Sequence, residues 1–335
     1  MNDVPAISRA PYGREAKYAL VPAAAEKIDT YYGRPQLKPS HYGFRVALYI
    51  FIAGLSGAAQ LIATAADLAG GDRHRNLVRR GRYLSLLAVG LGPPLLIWDL
   101  HTPQRFYNML RIFRSTSPMS IGTYLLSGFS LSSAMTAAAQ FLADRGDSAK
   151  WGRVARVTEI PAAFAGAGMT TYTAALLSAT STPLWAAAPR ALAIQFAGSS
   201  IAAGAAALKL CDGAGAESAA TQGLELLELA ATATELAGAF YAERRYRRLG
   251  VAPSTALERP WGAIHRVGAI ALGAALPLAL LTARRVGNRP PSRLGMTASL
   301  LAIGGSLLLR WSIIEAGNDS ARHAEESLRC EGRVY

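Results

Sequence analysis

Five polar residues between positions 222 and 235 keep one register: Gln222, Glu225, Glu228, Thr232 and Glu235. At about 100° per residue, steps of three and four residues put them on a single face of a helix. Three glutamates on one stripe can hold a proton, line an aqueous path, or pair with cations in a network that only locks a bundle. Arg190 and Arg310 are the cations within reach of such a stripe by sequence. A second concentration of chemistry lies at 97–122, IWDLHTPQRFYNMLRIFRSTSPMSIG. Asp99 and His101 form a carboxylate–imidazole pair suited to proton exchange. Arg105, Arg111 and Arg114 alternate with Phe106, Tyr107 and Phe113. That mixture suits a docking surface, or contact with lipid headgroups. Ser117, Pro118, Met119 and Ser120 close the stretch.

The elements that carry these residues are apolar. Of the 335 residues, 51% are hydrophobic and 17% charged, and the charges cluster between long uncharged runs. A run of about 20 apolar residues spans a bilayer as a helix. The pattern recurs eight times, near 43–65, 82–98, 121–143, 157–179, 187–208, 222–242, 263–283 and 294–314. The expected fold is an all-α integral membrane protein of eight transmembrane helices, arranged as two four-helix bundles. A polar arm (1–40) precedes the membrane domain (41–316), and a polar tail (317–335) follows it. In the first helix Gly54, Ser56, Gly57 and Ala58 permit close helix approach. Pro93 and Pro94 predict a kink in the second, where neighbours must satisfy the freed backbone groups. The segment GGDRHRNLVRR between these helices reads as a basic loop. Glu159 and Asp67 read as boundary charges near the interfaces.

Eight spans bring both termini to one side. The start of helix 1, the end of helix 2, the start of helix 3 and the end of helix 4 then open on one face, where Tyr49, Asp99, Ser120 and Tyr172 can converge. The side with the termini carries 17 Lys and Arg against 13 on the other, a lean toward cytoplasmic termini.

Several functions are excluded. The net charge of +13 resides in short loops, where it meets headgroups, so it is not a nucleic-acid footprint. Cys211 and Cys330 cannot furnish the four thiolates of an iron–sulfur cluster. Of His41, His74, His101, His265 and His323, only His265 is near a span, so a transmembrane haem lacks ligands. Residues 1–40 have no apolar signal-peptide core, which predicts that the first span directs insertion.

Several segments together resemble the NrfD/PsrC family of membrane subunits from polysulfide-reductase-like molybdopterin oxidoreductases. They are YYGRPQLKPS, ALYIFIAGLSGAAQ, LLIWDLHTPQRFYNMLRIFRSTSPMSIGTY, TTYTAALLSATSTPLW and LLLRWSIIEAG. The resemblance implies a haem-free subunit of the bacterial inner membrane that binds quinone or quinol, menaquinone or ubiquinone. It also implies docking to a four-cluster, ferredoxin-like iron–sulfur subunit, which connects to a molybdopterin catalytic subunit. Tyr172 matches the tyrosine expected to hydrogen-bond a quinone carbonyl. Where relatives carry Asn and His on helix 1, this chain has Val46 and Tyr49, and a tyrosine hydroxyl can still donate. Asp99 becomes the proton-exchanging base, with His101 assisting. Arg105, Arg111, Arg114, Pro118 and Met119 become the partner's footprint. Two alternatives remain: an assembly anchor without quinone chemistry, and a proton-translocating module using Glu225, Glu228 and Glu235 with Arg190 and Arg310.

Overall fold

The computed structural model describes residues 37–99, 103–146, 149–212, 218–249, 260–287 and 293–322. The first 36 residues, His101, residues 250–259 and residues 323–335, with His323 and Cys330, lie outside the described residues.

All regular structure among these residues is helical. The helices are α1 (Phe44–Gly70), α2 (Arg75–Leu84), α3 (Leu86–Asp99), α4 (Asn108–Arg111), α5 (Pro118–Gly146) and α6 (Ala149–Ser178). They continue with α7 (Pro183–Ala187), α8 (Pro189–Asp212), α9 (Ala219–Leu249), α10 (Pro260–Val286) and α11 (Arg293–Ala321). Helix α11 therefore runs past residue 316, the boundary expected for the membrane domain. Among the described residues, six helices (α1, α5, α6, α8, α10 and α11) are long and apolar enough to cross a membrane. A seventh span arises if α2–α3 is joined to the turn and short helix at Pro103–Arg111, which bends by 119°. Helix α9 has 31 residues, but its glutamates lower its hydropathy, and it falls outside the apolar set.

The packing forms two groups that share α1. Helices α1, α2, α3, α5 and α6 pack together, as do α8, α9, α10 and α11, and α1 also touches α6, α8 and α11. Small residues set these approaches. A Cβ added at Gly57 would lie 2.5 Å from the Gly166 carbonyl oxygen, and one at Gly54 2.5 Å from the Ser200 hydroxyl. Either change would push helices apart, because packed interiors leave no slack for an added methyl.

Two local readings of the sequence are corrected. The basic stretch after α1 is helical from Arg75, because Leu77 and Val78 point inward while Arg75 and Arg79 stay exposed. The second helix breaks at Ser85, one turn after Arg82, and α3 continues through Pro93 and Pro94. Just after the break, the Ala88 N–H donates to Ser56 Oγ of α1 at 3.1 Å. Helix α10 contains a π-helical stretch at Ile264–Ala275, a geometry often found at functional sites.

Candidate functional site

One end of the molecule gathers the start of α1, the end of α3, the start of α5 and the end of α6. The chain before α1 is pinned there by Asn318, whose amide donates to the Tyr42 carbonyl at 2.8 Å. Asn318 also accepts from the Ser40 N–H at 3.1 Å and the Ser40 hydroxyl at 2.6 Å. Tyr172, near the end of α6, lies against Gly122 of α5, where a Cβ would occupy the phenol's place. Its hydroxyl donates to the Pro118 carbonyl at 2.9 Å. Gly122 is thus required as glycine by the ring that rests on it. Tyr49 is buried, and its ring edge lies 3.8 Å from where a Cβ on Gly92 of α3 would stand. Val46, one turn earlier, is buried as well and offers only apolar surface.

Asp99 ends α3 half-buried, and Tyr42 lies within its electrostatic reach. Burial first, and the Asp99 charge second, push the Tyr42 phenol above its ordinary value, so it stays protonated as a donor. Tyr42 and Tyr172 are electrostatic neighbours, as are Tyr172 and Tyr49. Beside Asp99, the Arg45 guanidinium sits over the exposed Trp98 ring at 4.7 Å. Three phenols and one carboxylate therefore meet at one end. The convergence of Tyr49, Asp99 and Tyr172 follows from helix count and length. Tyr42 carries no sequence signal beyond being aromatic two residues before α1, and only the structure reveals it.

Ser120 has a different role from the one expected. Its hydroxyl accepts from the Arg114 N–H at 3.0 Å and faces the Ile112 carbonyl at 3.4 Å. It fixes the loop rather than facing the phenols, because α5 starts at Pro118 and its first turn folds back on that loop. Arg105, Arg111 and Arg114 are exposed, as are Phe106, Tyr107, Ile112, Phe113 and Met119, while Pro118 is half-buried. The Tyr124 hydroxyl donates to the Leu110 carbonyl at 2.8 Å, and its ring meets Phe113 edge-on at 5.0 Å. The loop is held, and its cations and rings face outward.

The opposite end is built from paired charge. Arg82 reaches Glu159 at 2.7 Å and Gln140 at 2.5 Å, and Asp67 lies 3.4 Å away. Glu159 is 1% exposed, so it is a core ion-pair partner and not a boundary charge. Of the glutamate stripe, Glu228 takes Lys209 at 2.5 Å and Glu225 takes Arg284 at 2.5 Å. Arg190, expected as a partner, is exposed at the first turn of α8. Lys209 and Arg284 were missed because each looks like an end-of-helix anchor by sequence. Arg80 pairs with Asp212 and ties the two helix groups together at this end. Glu235 and Arg310 lie deeper, nearer the middle of the helices, and are electrostatic neighbours. Among the described residues no cluster of His, Cys, Asp or Glu has metal-site form.

Residues 35–319 match the family described as polysulphide reductase, NrfD. The chain belongs to that family. A stretch of 87 residues is 30% identical to the C subunit of polysulfide reductase from Wolinella succinogenes, covering 25% of this chain and 27% of that protein. The aligned stretch thus spans about a quarter of the curated relative's length. Family membership and the apolar helices together make this a multi-pass membrane protein. In this NrfD-family chain, the phenol cluster and the outward-facing loop share one end of the helices.

Proposed function

We propose that this chain is the quinone-reactive membrane subunit of a respiratory oxidoreductase complex in the bacterial inner membrane, with eight spans that include α2–α3 and α9. The reading rests on one observation: Tyr42, Tyr49, Tyr172 and Asp99 gather at the end that also carries the outward-facing arginine and aromatic loop. The name of the Wolinella relative, which is one lettered subunit of a polysulfide reductase, supports membership of a multi-subunit assembly. In this assembly an iron–sulfur subunit docks on Arg105, Arg111, Arg114, Pro118 and Met119, and leads to a molybdopterin subunit.

The residues suit a flat ring with two carbonyl oxygens. Phenol hydroxyls donate to carbonyls, the apolar faces of Val46 and Tyr49 exclude water, and a half-buried carboxylate at the rim can take a proton. A bound quinol supplies two electrons and two protons. The Tyr172 hydroxyl, which donates to the Pro118 carbonyl, turns from it to the quinone carbonyl and orients the ring. Asp99 accepts a proton at its carboxylate and passes it to the surface. Tyr42, kept protonated within the electrostatic reach of Asp99, is the donor between ring and carboxylate. For α9, packing along α8 supports a place in the membrane domain: Glu225 and Glu228 are paired with cations inside the protein and Glu235 is buried beside Arg310, so none of the three need meet lipid.

Asp99→Asn keeps shape and hydrogen-bonding capacity but removes the base. It is expected to slow quinone-coupled turnover by about 10²-fold or more, with the complex still assembled on native gels. Unchanged turnover would leave the second reading, an anchor without quinone chemistry, in its place.

A further inference from the structure

Two of the three stripe glutamates close directly onto a cation, and Glu235 has no such salt bridge among the described residues. Glu235 is 3% exposed, and its Oε1 finds no hydrogen-bond partner among the described residues. Arg310, its electrostatic neighbour, directs its bonds elsewhere. Nη1 donates to Ser306 Oγ at 2.7 Å, the Ser306 carbonyl at 2.7 Å and Ser199 Oγ at 3.2 Å. Nη2 donates to Ser200 Oγ at 2.7 Å and the Phe196 carbonyl at 3.3 Å. Its Nε is buried without a partner among the described residues. The Gln195 Nε2 is in the same state, in a side chain only 1% exposed. Leaving such a group dry costs about 1–3 kcal/mol, so three in one layer call for a polar occupant.

A cavity of about 30 Å³ adjoins that layer, lined by Gln195 together with Glu243, Tyr246, His265, Ser312 and apolar side chains of α7, α8, α9 and α11. By this measure a water needs roughly 10–15 Å³ and two to four polar partners, so there is room for about two. His265 Nδ1 is 3.1 Å from Ser312 Oγ, and His265 belongs to the π-helical stretch of α10. Gln195 links cavity and glutamate. A Cβ on Gly238 would lie 2.8 Å from the Gln195 backbone nitrogen, and one on Gly198 2.7 Å from that of Glu235. The Gln195 and Glu235 backbones therefore sit about one helical turn apart along the tight α8–α9 seam, on the order of 5 Å, which places both side chains in neighbouring turns of that seam.

We propose that the α8–α11 group holds a short chain of buried water running from the His265–Ser312 pair past Gln195 to Glu235 and Arg310. It gives Glu235 a proton-exchange route to the end of the molecule that carries Glu243. Protons move by exchange along O–H and N–H hydrogen bonds, and no other bond is made or broken. The route uses none of the residues assigned to the quinone site and does not depend on that assignment.

X-ray hydroxyl-radical footprinting of the intact complex tests this, because radicals formed in a buried position arise from water bound there. Cavity-lining Tyr246, Ile313 and the 1%-exposed Leu192 should be modified, while the buried Phe129 and Leu177 of the other helix group should not. Rapid mixing with heavy-oxygen water before exposure should place the heavy isotope in the Tyr246 adduct, showing that the water exchanges with the surface. Ala239→Leu, which fills the cavity, should cut Tyr246 modification roughly fivefold or more, and Gln195→Leu should do the same if the first variant fails to assemble. Cavity residues as unreactive as Phe129, adducts without the heavy isotope, or labelling indifferent to both variants would overturn the proposal.

Discussion

The two ends of this helix assembly use charge in opposite ways. At one end Arg82, Lys209 and Arg284 are inside and closed onto Glu159, Glu228 and Glu225. At the other, Arg105, Arg111 and Arg114 stand in solvent among exposed rings, beside phenols and a half-buried carboxylate. Partnered charge in a low-dielectric setting has no free valence for a substrate, and what it does is fix helix positions. In the proposed function, the exposed cations and rings mark the end at which a partner and a quinone bind. The contrast divides the molecule into a scaffold end and a working end, and each substitution below tests one side of that division.

The largest effect should come from the scaffold end. Removing one partner of a buried pair leaves the other charge stranded, at about 3–5 kcal/mol. Glu159→Gln and Lys209→Met should each lower the thermal stability of the purified complex markedly, whereas the paired replacement Lys209→Met with Glu228→Leu should recover most of the loss. If the single variants unfold with the wild type, these pairs are not holding the bundle. Next is Gly122→Ala at the working end. The added methyl displaces the Tyr172 ring, and misplacement of a reacting group by about 1 Å can cost ~10²-fold in rate. Quinone-linked turnover should fall by that order, with assembly intact. Turnover near wild type would detach Tyr172 from the chemistry. The smallest effect is expected from single alanines at Arg105, Arg111 or Arg114. An exposed charge at an interface rim acts mainly on association rate, with ~1 kcal/mol or less each. Association with the iron–sulfur subunit should weaken severalfold and become less salt-dependent. Binding insensitive to all three would move the docking face elsewhere.

Much of this division was legible in the residues. Apolar length marked six helices among the described residues that can cross a membrane, though not the eight expected, and the 3.6-residue period put Glu225, Glu228 and Glu235 on one buried face. Small residues in α1 announced its close contacts with α6 and α8, which Gly54 and Gly57 make. What stayed hidden depends on the third dimension. Arg82 and Glu159 are 77 residues apart, and nothing in either neighbourhood says that they meet. Lys209 and Arg284 resemble ordinary helix-end cations until α9 is packed against α8 and α10. The break at Ser85 was masked by the prolines after it, since a proline pair draws the prediction of a kink to itself. Ser120, a polar residue at a helix mouth, could as well cap a loop as face a ligand, and only its contacts with Ile112 and Arg114 decide it. The π-helical stretch of α10 has no composition that sets it apart.

The central claim is that the working end binds quinone among Tyr42, Tyr49, Tyr172 and Asp99. The most direct measurement is photo-crosslinking of the intact complex with an azido-quinone, followed by peptide mapping. The predicted result is label on the first turns of α1 and on the peptide of α6 that carries Tyr172, suppressed by excess native quinone and lost in Gly122→Ala. Label confined to α8–α11, or label that excess quinone does not displace, would contradict the account.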